Sequence, residues 1–87
     1  MADPRFLVYS RESCTLCEEF VEALARELGA CGEPFAVREV DADPEARRRY
    51  GLKVPVLTCH GSVVCHGVLD AAAVARLLGR GAGTRLL

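Results

Sequence analysis

No stretch of this 87-residue chain approaches the roughly 18 consecutive apolar residues that a membrane-spanning helix needs. Nor is there an excess of positive charge. Eleven Lys and Arg face twelve Asp and Glu, for a formal net charge of −1, so the electrostatic footprint of a nucleic-acid binder is missing. The densest basic run, Arg47-Arg48-Arg49, falls near the end of an expected short helix. Cations there complement the negative end of the helix dipole, and the run reads as a solvated terminus. Residues 1–5 hold no basic region followed by an apolar core, so no secretory signal is expected. Repeats, low-complexity tracts and linkers are absent as well.

What is present describes one small soluble domain. The length fits a single unit, and a chain this short buries only about 60% of its unfolded surface. Apolar residues make up 51% and charged residues 26%, enough for a modest core without metal or crosslinks. The expectation is a cytoplasmic monomer with no nucleic-acid or membrane partner. The five cysteines are an odd number, unlike most secreted disulfide scaffolds. In a reducing compartment, cysteines signify redox chemistry, metal binding or small buried side chains.

Residues 6–9 are apolar and aromatic, of strand character. From Cys14 to Leu28 the period turns helical, with Leu16, Phe20, Leu24 and Leu28 at four-residue steps and Val21 beside them. Gly29 is expected to stop that helix from its C′ position. Phe35 to Val40 read as a second strand. Asp43-Pro44-Glu45 is a helix start, with Asp as N-cap and Pro in the first turn, and Gly51 closes the helix after Tyr50. A strand opened by Pro55 runs to Cys59. His60-Gly61 turns a hairpin, and Ser62 to Cys65 return as its partner. Gly67 breaks that strand. Asp70 caps a last helix whose Val74, Leu77 and Leu78 are expected to face the core. Residues 79–87 read as a flexible tail after a domain spanning 1–78. The order is β-α-β-α-β-β-α, an α/β arrangement with a right-handed parallel crossover followed by an antiparallel hairpin.

Cys14 and Cys17 form a Cys-x-x-Cys, which serves half a zinc site as readily as a redox pair. Its position favours redox. Cys14 falls where a strand gives way to a helix, so its sulfur can accept the orphan N–H of Leu16 or Cys17. A thiolate at a helix N-terminus is stabilised, with its pKa lowered into the range of roughly 3.5–7.5. Cys17 lies over the same turn, within the Cα separation of about 4.4–6.8 Å that a disulfide tolerates. An activated sulfur beside a deeper one is what a nucleophile and a resolving thiol require. Arg11, three residues before Cys14, favours the thiolate, whereas Glu18, four residues after it, opposes it.

With these parts in place the chain resembles the thioredoxin superfamily, and glutaredoxins in particular, over about residues 5–78. The resemblance rests on the segment Ser10 to Cys17, on Val54-Pro55, on the His60-Gly61 turn and on His66 to Asp70. A branch of short glutaredoxin-like proteins is nearer still. Its Cys-x-Leu-Cys, Asp-x-Asp and Tyr-Gly-x-x-Val-Pro-Val-Leu segments match residues 14–17, 41–43 and 50–57. The resemblance implies a four-stranded mixed sheet flanked by three helices. It implies a thiol–disulfide oxidoreductase in which Cys14 attacks a protein or glutathione-mixed disulfide and Cys17 resolves it. It also implies a cis Val54–Pro55 bond, with Arg11, Val54, Pro55 and Asp70 meeting the substrate. No cofactor is implied beyond glutathione as co-substrate. Thr15-Leu16, Lys53, His66 and one additional hairpin residue depart from the usual glutaredoxin pattern, in segments that line the family's glutathione groove. They motivate the alternative of a redox-sensitive binding module without turnover. A third reading is metal or iron–sulfur binding through Cys14.

Two Cys-His pairs, Cys59-His60 and Cys65-His66, suggest metal at first sight. Strand alternation puts Cys59 and Cys65 on opposite faces unless a bulge intervenes, so both read as packing residues and no metal site is assigned. Cys31 falls in a Gly-containing loop with no role assigned, His66 could approach the Cys-x-x-Cys from the rim, and Tyr50 reads as core.

Overall fold

A computed structural model describes residues 3–79, so the expected tail, residues 79–87, lies outside the described residues except for Gly79. The elements are β1 (Phe6–Ser10), α1 (Thr15–Gly29), β2 (Phe35–Glu39), a short 3-10 turn (Val40–Ala42), α2 (Pro44–Tyr50), β3 (Val56–Cys59), β4 (Ser62–His66) and α3 (Ala71–Leu77). The sheet runs in the order β2-β1-β3-β4. β1 and β2 are parallel, while β1–β3 and β3–β4 are antiparallel. Three helices and four strands in a mixed sheet make a thioredoxin-like fold.

Strand alternation builds the two faces. Phe6 and Val8 pair with Cys59 and Leu57, and these four meet Phe20, Leu24, Leu28 and Val74 from α1 and α3 in one buried cluster. On the other face Val56 packs with Val40, Ala46 and Tyr50, and Tyr50 stacks 5.0 Å from the ring of Tyr9. Thr58, the one buried polar side chain among the described residues, gives its hydroxyl proton to the Leu7 carbonyl at 3.4 Å.

Local signals were read correctly where one residue decides them. Asp43 accepts the Glu45 N–H at 3.0 Å, and Asp70 accepts the Ala73 N–H at 3.0 Å, each as an N-cap. Both hairpin residues, His60 (φ 52°) and Gly61 (φ 83°), are left-handed, as the tightest twisted turn requires.

Several expectations are corrected. Gly29 does not end α1 from outside. It is the last helical residue, with Ala30 as C-cap, and the left-handed turn comes at Gly32 (φ 74°). Leu16 is 45% exposed, because the buried stripe runs through Cys17, Phe20, Leu24 and Leu28. Leu77 is 41% exposed. With Val74 inward, Leu78 falls closer to the buried side, about 40° away at 100° per residue against about 60° for Leu77. β2 ends at Glu39 and β3 begins at Val56. The hairpin carries a bulge: Thr58 pairs with Val63 but Leu57 with Cys65, so Val64 is the additional residue. A bulge reverses the alternation beyond it, and Cys65 therefore shares the face of Leu57 and Cys59. Even so, among the described residues no three His, Cys, Asp or Glu side chains gather as a metal site would require.

Gly51 closes α2 by close approach, since its φ of −58° suits any residue. A Cβ there would lie 2.5 Å from the Arg47 carbonyl oxygen. Gly51→Ala is therefore expected to lower stability by about 1–3 kcal/mol, read as a lower denaturant midpoint at unchanged slope.

Candidate active site

One end of the sheet collects every chemically distinctive segment. β1 leaves the sheet there at Ser10, opposite Glu39 of β2, and Tyr9 is paired with Val56, the first residue of β3. Val54–Pro55 therefore lies at this end, as does His66, which pairs with Val56. Ligands in open α/β sheets bind outside the carboxyl ends of the parallel strands, which here is the same end.

The chain turns through Ser13 (φ 59°) and enters Cys14 extended, at φ −116° and ψ 103°. The Cys14 sulfur accepts the Cys17 N–H at 3.1 Å, and the Cys14 carbonyl accepts the Glu18 N–H at 3.0 Å. Cys14 is thus the N-cap of the 15-residue α1, as its position between a strand and a helix leads one to expect. The same sulfur is at disulfide distance from Cys17, with Cα atoms 5.2 Å apart. Cys14 is half-buried and Cys17 only 3% exposed. An accessible sulfur at a helix head, bonded to a buried one a turn deeper, can do thiol–disulfide chemistry.

Arg11 lines a groove with Cys17, Glu18, Val21, Glu22 and Val37, but its guanidinium is engaged by protein. Nε and Nη2 donate to the two Asp41 carboxylate oxygens at 2.8 and 3.0 Å, and Nη1 donates to the Gly51 carbonyl at 2.9 Å. The hydrogen bond from Arg11 holds the Asp41 carboxyl below its usual 3.8. A depressed carboxylate pKa stabilises the fold fully above the unfolded value and loses that contribution as pH falls through the folded value. The Asp41 carboxyl carbon is accordingly expected to titrate by NMR with a midpoint below 3.8, and to return towards that value in Arg11→Ala. A midpoint unchanged by the substitution would contradict the assignment.

The bond between Val54 and Pro55 is cis. Val54 is half-buried, and among the described residues no backbone group pairs with its N–H or C=O. The Pro55 carbonyl accepts the Gly67 N–H at 2.8 Å, which ties the segment leading to Asp70 to this loop. Asp70 lies exposed at the head of α3, one carboxylate oxygen on the Ala73 N–H. Its own N–H donates to the Cys65 sulfur at 3.5 Å, and burial pushes the Cys65 thiol up. Of the residues singled out in the sequence, Cys14 and Cys17 are joined directly, and Arg11 reaches Gly51, three residues before Val54. The partners Asp41, Gly51 and Gly67 were not singled out as site residues. The Asp-x-Asp and Tyr-Gly segments held the first two, with no local sign of what they would meet.

A thioredoxin-like fold whose helix-capping cysteine is bonded to a buried partner three residues on defines a class of redox proteins. The chain belongs to the family described as Glutaredoxin-like domain (DUF836), whose pattern matches residues 5–79. Its structure is similar to that of protein Ne2328 from Nitrosomonas europaea, at 28% identity, covering 88% of this chain and 93% of that one with a TM-score of 0.74. It is also similar to protein XcR50 from X. campestris, at 31% identity, 85% and 95% coverage and a TM-score of 0.67. A buckwheat glutaredoxin solved with glutathione shares the fold at 20% identity, 88% and 72% coverage and a TM-score of 0.53. No curated protein matches the chain. Among the described residues no helix is long and apolar enough to cross a membrane. Glutaredoxin-like fold and cysteine pair together support a redox-type function.

Proposed function

We propose that this chain is a cytoplasmic thiol–disulfide oxidoreductase, acting as a monomer on a protein disulfide or a glutathione-mixed disulfide. One observation carries the reading: the Cys14 sulfur both caps α1 and lies at disulfide distance from the buried Cys17. In the reduced protein the Cys14 thiolate takes the Cys17 N–H as a charge-assisted hydrogen bond and faces the positive end of α1. It attacks one sulfur of the substrate disulfide, forming a mixed disulfide and releasing the other sulfur as a thiolate. The Cys17 thiolate then attacks the Cys14 sulfur, closing the Cys14–Cys17 bond and releasing the second substrate thiol. Two electrons leave the protein for the substrate. Two thiol equivalents, with glutathione as the natural donor class, reopen the bond and leave as a disulfide.

The substrate backbone lies along Val54, whose N–H and C=O pair with it in strand fashion, with Pro55 against the reacting sulfurs. Asp70 keeps one carboxylate oxygen for Ala73 and offers the other to a substrate ammonium or N–H. The test is to trap the intermediate. Cys17→Ser should accumulate a mixed disulfide with glutathione on Cys14 when mixed with oxidised glutathione, as shown by mass spectrometry. A label found only on Cys31, exposed elsewhere on the protein, would defeat the reading.

A further inference from the structure

Arg11 forms three hydrogen bonds, to Asp41 and Gly51, and together they link three segments distant in sequence. Arg11 stands in the loop between β1 and Cys14, Asp41 in the 3-10 turn after β2, and Gly51 at the end of α2. Three residues beyond Gly51 comes Val54. We propose that Asp41 is a positioning residue: it holds Arg11 as a brace that sets the Val54 backbone at a fixed distance from the Cys14 sulfur. The functional half of this proposal rests on the oxidoreductase reading.

Geometry favours a brace over the other uses of an arginine here. A guanidinium has five N–H donors in a rigid planar fork, and three are spent on protein acceptors. Both carboxylate oxygens of Asp41 are engaged, which fixes the plane of the fork as well as its distance. Nη1 meanwhile satisfies a carbonyl at the C-terminal end of α2, where cationic donors are favoured. An anion-binding arginine, or one paired with the thiolate, would have those donors free. The pair's side chains are 38% and 39% exposed, and ion pairs that open to water contribute little to stability. What the arrangement provides is relative placement of two loops. Besides each other, the pair feels the charge of Glu39, which acts on Arg11, and of Arg47, which acts on Asp41. Among the described residues no other ion pair involves Arg11 or Asp41.

The test compares the wild-type chain with Asp41→Ala, Arg11→Ala, the double variant and Arg11→Lys. Two substrates are used: 2-hydroxyethyl disulfide, which is small and neutral, and a disulfide-linked peptide long enough to lie along Val54. Each single variant is expected to raise KM for the peptide about tenfold, the scale of one charge-assisted hydrogen-bonding unit. The double variant should be no worse than either single one, since the two residues act as one unit. Turnover of the small disulfide by Asp41→Ala should stay within about twofold, and Arg11→Lys, which keeps the charge but not the fork, should not restore the peptide KM. A second readout needs no activity. The Lys53 amide, bonded to the Tyr50 carbonyl at 2.8 Å, should exchange with deuterium about tenfold faster in Asp41→Ala, while the Leu24 amide in α1 keeps its rate.

The proposal is overturned if Arg11→Ala weakens peptide turnover while Asp41→Ala leaves it unchanged or improves it. It is equally overturned if Lys53 exchange does not move. Should the wild-type protein turn over neither disulfide, the oxidoreductase reading falls by itself, and amide exchange still decides whether the brace exists.

Discussion

Cys14→Ala is expected to abolish disulfide exchange, by roughly a thousandfold or more, the scale seen when a covalent nucleophile is removed. The fold should survive. Cys14 is half-buried at the head of α1, outside the buried clusters, and its loss removes one N-cap worth about 1 kcal/mol. Cys17→Ser should behave differently. It keeps the attacking sulfur and loses only the resolving one, so a single turnover with a disulfide proceeds and stops at the mixed disulfide. The two variants therefore separate by stopped reaction against no reaction, a contrast that a merely structural disulfide would not produce. Rates of thiol release from a small disulfide, followed by absorbance, check both. Full activity in Cys14→Ala would remove Cys14 from the chemistry.

The largest expected effect on stability is at Leu24. It is fully buried, in a cluster with Phe6, Val8, Phe20, Leu28, Leu57 and Val74, where α1 covers the centre of the sheet. Leu24→Ala removes apolar contact from both layers and leaves a cavity that neighbours on a regular helix and sheet cannot close. A cost of about 3 kcal/mol is expected, which in a domain of this size lowers Tm by roughly 12–24 °C. Since small domains hold only about 5–15 kcal/mol in all, this variant would sit near the edge of folding. The equivalent change at Leu16, 45% exposed on the same helix, should cost less than about 1 kcal/mol. A Tm shift as large for Leu16→Ala as for Leu24→Ala would mean that the buried stripe has been misassigned.

Leu16 also shows where sequence reasoning stops. Four-residue spacing drew Leu16, Phe20, Leu24 and Leu28 into one stripe, yet at the first turn Cys17 takes the buried position. An apolar pattern does not say which side of a helix end is covered, because that depends on the loop packed against it. Capping, in contrast, was legible. Cys14, Asp43 and Asp70 were each recognised from neighbours a few residues away, and each accepts a backbone N–H within its own first turn. The order of elements along the chain and the pairing of β3 with β4 followed from element types and turn chemistry in the same local way.

The unread features are non-local. The additional hairpin residue left a bulge open, but not its place; it falls at Val64 and puts Cys65 on the face of Cys59, against simple alternation. The Arg11–Asp41–Gly51 bonds span 30 and 40 residues of sequence. Nothing near Arg11 signals an acceptor, and proximity to Cys14 in sequence suggested a role facing the thiolate. The proximity of Cys14 and Cys17 was legible because one helix holds both, whereas the arginine's partners come from two other elements.

The most direct test of the account is the pH dependence of Cys14 alkylation in the reduced Cys17→Ser protein, with Cys31 followed in the same samples by peptide mapping. A Cys14 midpoint well below the free-thiol value of about 8.5, inside the range set by helix N-termini, is expected. A Cys14 midpoint at or above the free-thiol value would contradict the account, because the sulfur that caps α1 would then gain nothing from the helix it heads.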